Sequence, residues 1–214
     1  MPAVASHAPI AGTIGPNAVL RLREALDADC GQDATEALFV AAGQLPLHRA
    51  PLTDMIDERA VARLHAALRS RHGLEIATRV ARRAGDLTAD YLLAHRIPVV
   101  ARWTLPLLPS GAAARVLVRA MLAHAWTFAG SGRVAVHWAT AVRRQPGEAA
   151  AIRLELVIED CPLCRGADVD GMACEYYAAT FQRLFRRLVA PTAEVREVSC
   201  IAAGGDGCRF AVSW

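Results

Sequence analysis

Five of the six cysteines lie between Cys161 and Cys208, and only Cys30 precedes them. Cys161 and Cys164 form a pair spaced as C-x-x-C, Cys174 follows, and Cys200 and Cys208 flank Gly204, Gly205, Asp206 and Gly207, with Glu197 just upstream. A glycine-rich cluster between apolar runs makes a turn, and a hairpin there returns Cys208 toward Cys200. Thiolates and a carboxylate converging from a helix and a hairpin suit a four-coordinate zinc ion. Such a site, closed by four protein ligands, is structural rather than catalytic. Cys161, Cys164, Cys200 and Cys208 make an all-thiolate alternative, because two-residue spacing is common in structural zinc sites. Cys30, alone in its half, reads as a small apolar filler.

Other thiol chemistries fit less well. A thioredoxin-type redox pair sits between a strand and a helix of a parallel unit, whereas the strands before Cys161 read as antiparallel. Iron–sulfur ligation needs four cysteines, and one close pair with scattered partners is a weak pattern for it. Neither Gly204–Gly207 nor Gly130 with Gly132 opens a helix after a strand, as a dinucleotide-binding fingerprint does.

The elements that must position these residues follow from periodicity. Helices are expected over Pro16–Asp29, from a capping box at Asp33 and Glu36 to Gly43, over Asp54–Gly73, over Leu74–His95 and over Ser110–Gly130. Leu45–Leu52, with two prolines, reads as a connection. At Gly132 the period changes to two: Val134, Val136 and Trp138 alternate with Ala135, His137 and Ala139. Gln145, Pro146 and Gly147 then turn the chain into a strand at Ile152–Ile158. A helix from about Asp170 to Val189 and a hairpin from Ala193 to Trp214 complete an α+β order with about four antiparallel strands. The expectation is one domain over 16–214, with a helical part at 16–130 and a metal-holding part at 131–214, after a flexible arm at 1–15.

Composition excludes several classes. Of the 214 residues 54% are apolar and 21% charged, yet Arg102, Pro106, Arg115 and Arg119 interrupt the apolar stretches before they reach membrane-spanning length. The surplus apolar surface is expected in a core, an oligomer interface or a ligand pocket. All 24 basic residues are arginine, and a net charge of +3 is too small to argue for nucleic acid. The first fifteen residues lack the basic and apolar regions of a secretion signal. A reducing, cytoplasmic compartment is therefore expected, where cysteines bind metals more often than they pair.

The series Cys174, Glu197, Cys200 and, after Gly204, Asp206 and Gly207, Cys208-Arg209-Phe210 resembles the vinyl-4-reductase domain family, small-molecule-binding modules related to transport-particle subunits. The helical first half resembles, more loosely, the stand-alone photosynthetic members. This resemblance implies a zinc on Cys174, Glu197, Cys200 and Cys208. It implies a role in bacteriochlorophyll synthesis as a carrier of a vinyl-bearing magnesium tetrapyrrole to a biosynthetic enzyme, at the periphery of the photosynthetic membrane, with homodimerisation as in the transport-particle relatives. The alternatives are that the chain is itself the vinyl reductase, or that it is a dimeric scaffold. A macrocycle could stack on Trp103, Trp126, Trp138, Tyr91 or Phe128; His124 or His137 could ligate its magnesium; Arg102, Arg119 or Arg153 could pair with its carboxylate.

Overall fold

The computed structural model describes residues 12–143, 151–167, 169 and 171–214. Gly12–Gly15, expected in a loose arm, are held in place. Strand β1 (Thr13–Ile14) pairs antiparallel with β2 (Ile56–Asp57), Gly15 N donates to Thr127 O at 2.7 Å, and Ile14 is buried. The rest of the expected arm, 1–11, lies outside the described residues.

Between β1 and β2 run α1 (Asn17–Cys30), α2 (Gln32–Ala41) and α3 (Leu45–Arg49). Val19, Leu22, Ala25 and Leu26 give α1 its buried face at helical spacing. The capping box at α2 does not form: Gly31 is the N-cap and Glu36 pairs with Arg49 at 2.7 Å. Leu45–Arg49 is helical rather than a plain connection, since Pro46 sits in the first turn, where its missing N–H costs nothing.

The two helices expected on either side of Gly73 are one element, α4 (Glu58–His95), kinked at Gly73 with φ 76°. Only a residue without Cβ adopts that angle cheaply, so the glycine bends the helix instead of ending it. The start is also later than expected, because Asp57, not Asp54, caps it by accepting the Arg59 N–H at 2.9 Å. After α5 (Val99–Thr104) and a 3-10 turn (Leu105–Leu107), the single helix expected over Ser110–Gly130 divides into α6 (Ser110–Ala123) and α7 (Trp126–Ala129). At the break, His124 Nδ1 donates to Ala120 O at 2.8 Å, a local bond that competes with helix continuation.

Strands β3 (Arg133–Arg143), β4 (Ile152–Glu159), β5 (Glu194–Ser199) and β6 (Cys208–Ser213) form an antiparallel sheet of order β3-β4-β6-β5. The turn expected at Gln145–Gly147 lies outside the described residues. Between β4 and β5 lies α8 (Glu175–Leu188), which begins at Glu175 rather than near Asp170. The expected α+β architecture is thus present. One apolar core joins Leu22, Leu64 and Leu117 of the helical half to Leu154, Phe185 and Phe210 of the sheet half.

Helix α8 is the hinge of this packing. Tyr177, Phe181 and Phe185 lie over Phe210 and Trp214 of the sheet, with Phe181 edge-on to Phe210 at 5.4 Å between centroids. Its other side meets α4 at Gly85, where a Cβ would lie 2.3 Å from Tyr176 O and 2.9 Å from Ala179 Cβ. Thr180 Oγ1 donates to Gly85 O at 3.1 Å across the same contact. Gly85→Val should therefore force the helices apart and cost about 3 kcal/mol by overpacking, read as a lowered urea midpoint. An unchanged midpoint would contradict this close approach.

Candidate metal centre

Each donor is delivered by a different device. Cys161 and Cys164 lie in the turn after β4, entered through Asp160 at φ 52° and closed by Arg165 N to Cys161 O at 3.0 Å. Cys174, expected within a helix, is the N-cap of α8. Cys208 opens β6 opposite Ile158 of β4. On β5 the inward face carries Val195 and Glu197, and simple alternation would put Ser199 inside next. A bulge intervenes: Glu197 is paired with Phe210 and Ser199 with the adjacent Arg209, so Val198 is the extra residue and the buried side chain after Glu197 is Cys200. The following turn is tight. A Cβ at Gly205 would lie 2.4 Å from Ser199 Oγ and 2.8 Å from Cys200 O.

The result is five buried thiols in mutual contact. Cys161 Sγ and Cys208 Sγ both lie 3.5 Å from Cys174 Sγ, Cys164 Sγ lies 3.3 Å from Cys208 Sγ, and Cys200 Sγ is 3.9 Å from each of Cys164 and Cys208. Zinc–sulfur bonds of about 2.3 Å in a tetrahedron separate the sulfurs by roughly 3.8 Å, so the spacing is that of thiolates around one ion. No disulfide is formed at these separations, and all six cysteines are free.

The expected set Cys174, Glu197, Cys200 and Cys208 forms one group whose ligand atoms lie within 4.8 Å of one another; Cys161, Cys164, Cys174 and Cys208 form a second. This second group differs from the all-thiolate set weighed in the sequence by Cys174 in place of Cys200, and Cys174 and Cys208 belong to both groups. Glu197 Oε2 accepts the Cys174 N–H at 2.8 Å, a carboxylate on the first turn of α8, while its Oε1 is buried without a partner. Burial first, then the neighbouring Cys200, push this carboxyl up to about 9. Five touching thiols cannot all ionise. Hydrogen bonds from Cys161, Cys174, Cys200 and Cys208 hold Cys164 far below the ordinary thiol range, while Cys174 and Cys208 are pushed up. An unpartnered carboxylate oxygen beside clustered soft donors is the arrangement a thiophilic cation completes, so the residues fit a zinc ion.

A second polar node, missed in the sequence, braces this loop. Glu58, at the first position of α4, accepts Ser131 N at 2.7 Å, Ser131 Oγ at 2.5 Å and Arg165 Nη1 at 2.9 Å. Arg165 follows Cys164 directly, so the node ties the cysteine loop to α4 and to the start of β3. Burial raises the Glu58 carboxyl, but the Ser131 hydrogen bonds and the Arg165 charge outweigh it and hold the group below the usual carboxylate range. The node opens on a cleft of about 480 Å³ lined also by Gly12, Thr13, Asp57 and Arg59. No local pattern marks it, since its members are 34 to 107 positions apart.

His65 is buried near Cys164, edge-on to Tyr176 at 6.0 Å, with Nε2 unpartnered. Burial, then the Arg69 charge, bring it down to about 3. Below pH 6.5 the unfolded chain takes up a proton that the folded chain refuses until about 3, so stability falls as pH falls through this window. The full effect is about 5 kcal/mol. His65→Leu should flatten the acid side of a stability-versus-pH curve measured by urea unfolding, and an unchanged slope would contradict the account.

The aromatic and histidine candidates are dispersed. Trp103 on α5 is 74% exposed, Trp126 is half-buried at the start of α7, and Trp138 on β3 is 40% exposed beneath Arg115 of α6, whose guanidinium carbon lies 5.4 Å from the ring centroid. His124 is exposed at the end of α6. His137, next to Trp138 in a strand, points to the opposite face of the sheet. Phe128 packs on Tyr177 and Phe181, Tyr91 lies under Arg21, and Arg153 donates to Trp214 O. None of these lines the cleft at Glu58.

Comparison with known proteins places residues 154–213 in the V4R domain. The chain is 42% identical to the bacteriochlorophyll synthase 23 kDa chain of Cereibacter sphaeroides over 94% of its own length and 90% of that protein. It is 36% identical to the protein of the same name from Rhodobacter capsulatus, over 92% and 85% respectively. Among solved structures, the phenol-responsive sensory domain of the transcription activator PoxR with phenol aligns at 17% identity, covering 76% of this chain and 77% of that one with a TM-score of 0.45, too loose to carry an argument.

Proposed function

Because the chain belongs to the family of bacteriochlorophyll synthase 23 kDa chains, we propose that it serves bacteriochlorophyll synthesis by binding a vinyl-bearing magnesium tetrapyrrole and presenting it to a biosynthetic enzyme. One zinc ion, on Cys174, Glu197, Cys200 and Cys208, would clamp α8 to the β5–β6 hairpin. All four ligands are buried, which suits a structural ion rather than one that activates water.

The observation that carries the pigment reading is the strip between β3 and α6. There Trp138 presents a flat apolar ring, and Arg115, Arg119 and Leu122 lie one or two turns apart along α6. Arg119 has no ion-pair partner among the described residues. A macrocycle stacked on the indole places its carboxylate within reach of these guanidinium groups. Since His137 points away, His124 is the histidine left to approach a magnesium from this side.

Titration of protoporphyrin-type pigments, with and without magnesium, followed by absorbance and tryptophan quenching, should saturate in the micromolar range, about −8 kcal/mol. Trp138→Ala should weaken binding about tenfold, the scale of one lost aromatic contact. No saturable binding would overturn the carrier reading. So would repeated turnover of a divinyl pigment with nicotinamide cofactor alone, which would make the chain the reductase itself. Equal affinity for both pigment forms would remove His124 as a ligand.

A further inference from the structure

From Tyr91 to Gly147 the chain contains no aspartate or glutamate, although it has 21 acidic residues in all, and the same run carries seven arginines. This run also holds Val99, Val100, Trp103, Leu107, Leu108, Val116, Leu122 and Trp138, eight of the twelve large apolar side chains left exposed among the described residues. Five of the eight lie on α5 and the 3-10 turn with its flank. Val99 is 57% exposed, Val100 71%, Trp103 74% and Leu107 83%.

This prow is rigid. Pro98 precedes α5, Pro106 lies within the 3-10 turn and Pro109 follows it, and Leu105 of that turn is buried. Arg102 N donates to Pro98 O at 3.1 Å and Leu108 N to Leu105 O at 3.1 Å. The apolar side chains therefore project from a fixed backbone and do not fold back onto the core. Arg96 and Arg102 flank them, and neither has a carboxylate partner among the described residues.

We propose that the α5 prow docks this protein on an anionic lipid bilayer, with Val99, Val100, Trp103 and Leu107 entering the headgroup boundary and Arg96 and Arg102 held by lipid phosphates. Aliphatic residues with a tryptophan, bordered by cations and free of acids, match the chemistry of such an interface. A second copy of the chain fits worse. A two-fold interface sets the same patch against itself, so the arginines of one copy would meet those of the other without a carboxylate between them. No helix among the described residues is long and apolar enough to cross a membrane, so attachment here is by the surface. The inference goes beyond the pigment reading and does not depend on it. For an apolar pigment carrier, though, a docking prow immediately before the α6 strip places that strip beside the bilayer.

The test is cosedimentation of the full chain with pigment-free vesicles of phosphatidylcholine alone or mixed with phosphatidylglycerol, at low and high salt. Binding is expected to the mixed vesicles, weakened by salt and lost on pure phosphatidylcholine. Trp103→Ser with Leu107→Ser should reduce the affinity about tenfold or more through lost apolar insertion. Because both side chains are largely exposed, the thermal melt should not move. Arg96→Gln with Arg102→Gln should abolish the preference for anionic lipid. Equal recovery with both vesicle types, or undiminished binding by the apolar double variant, would overturn the proposal. Conversion of a dimer to a monomer by that variant, with vesicle binding intact, would instead assign the prow to a second copy. The pigment titration uses no lipid, so either proposal can fail alone.

Discussion

Cys208→Ser is expected to yield a protein without bound zinc that is largely unfolded at room temperature. Cys208 Sγ belongs to both four-donor groups and lies 3.3 to 3.9 Å from Cys164, Cys174 and Cys200, so no rearrangement within the cluster spares it. Structural zinc contributes on the order of 10 kcal/mol to the folding of small domains, comparable with the roughly 5–15 kcal/mol of total stability of an ordinary domain. Losing even half of that removes most of the margin. Elemental analysis should give about one zinc per parent chain and none for the variant, with loss of the cooperative melt by circular dichroism. A variant that keeps both its zinc and its melt would sink the assignment. Milder substitutions then separate the two groups. Cys161→Ser should retain the ion and Glu197→Gln should weaken it if the carboxylate is the fourth ligand; the reverse pattern would give the site to the all-thiolate group.

The second large effect is expected at Glu58. Glu58→Ala removes a carboxylate whose side chain is 5% exposed and leaves the Ser131 N–H and the Arg165 guanidinium without their acceptor. Arg165 is 43% exposed, so water screens the stranded cation, and the cost is about 1–3 kcal/mol, set mainly by the Ser131 donors left without an acceptor. Gly130 adds to the constraint. Its φ is +56°, and a Cβ there would lie 2.1 Å from Glu58 Oε2, so the backbone is closed around this carboxylate. Urea unfolding should show the loss, and the double variant Glu58→Ala with Arg165→Met should recover part of it by removing the stranded cation. If the double variant were less stable than Glu58→Ala alone, the Arg165 charge would contribute nothing to the cost.

The long helices and the four-stranded sheet were readable from periodicity, but the short β1, β2, α3 and α5, and the places where the helices bend, were not. The change of period at Gly132 marks β3, because a half-buried strand alternates whatever it packs against. At Gly73 the sequence predicts a stop, since glycine commonly ends helices. In the structure the same freedom at φ 76° serves as a kink, because both halves of α4 have core to bury beyond it. The Asp33 and Glu36 box fits its pattern, yet Glu36 is drawn to Arg49 by the packing of α2 on α3, which no local window contains.

The chain by itself determined the chemistry available at the centre: Cys174, Cys200 and Cys208 with Glu197 around a glycine turn resemble a known ligand series, and they come together if the hairpin and α8 pack as their apolar faces require. It also determined the acid-free, arginine-bearing run around α5, which is a property of composition. Only the tertiary structure decided that Cys161 and Cys164 join Cys174, Cys200 and Cys208 in one cluster, because a turn after β4 has no periodicity to reveal its direction. The bulge at Val198 likewise selects Cys200 over Ser199 for the interior through a register set by β6, and Glu58, Ser131 and Arg165 meet only once α4, β3 and the cysteine loop are stacked. Residue types fix which bonds can form. Which donors face one another is set by contacts far apart in the chain, and those exist only in the folded molecule.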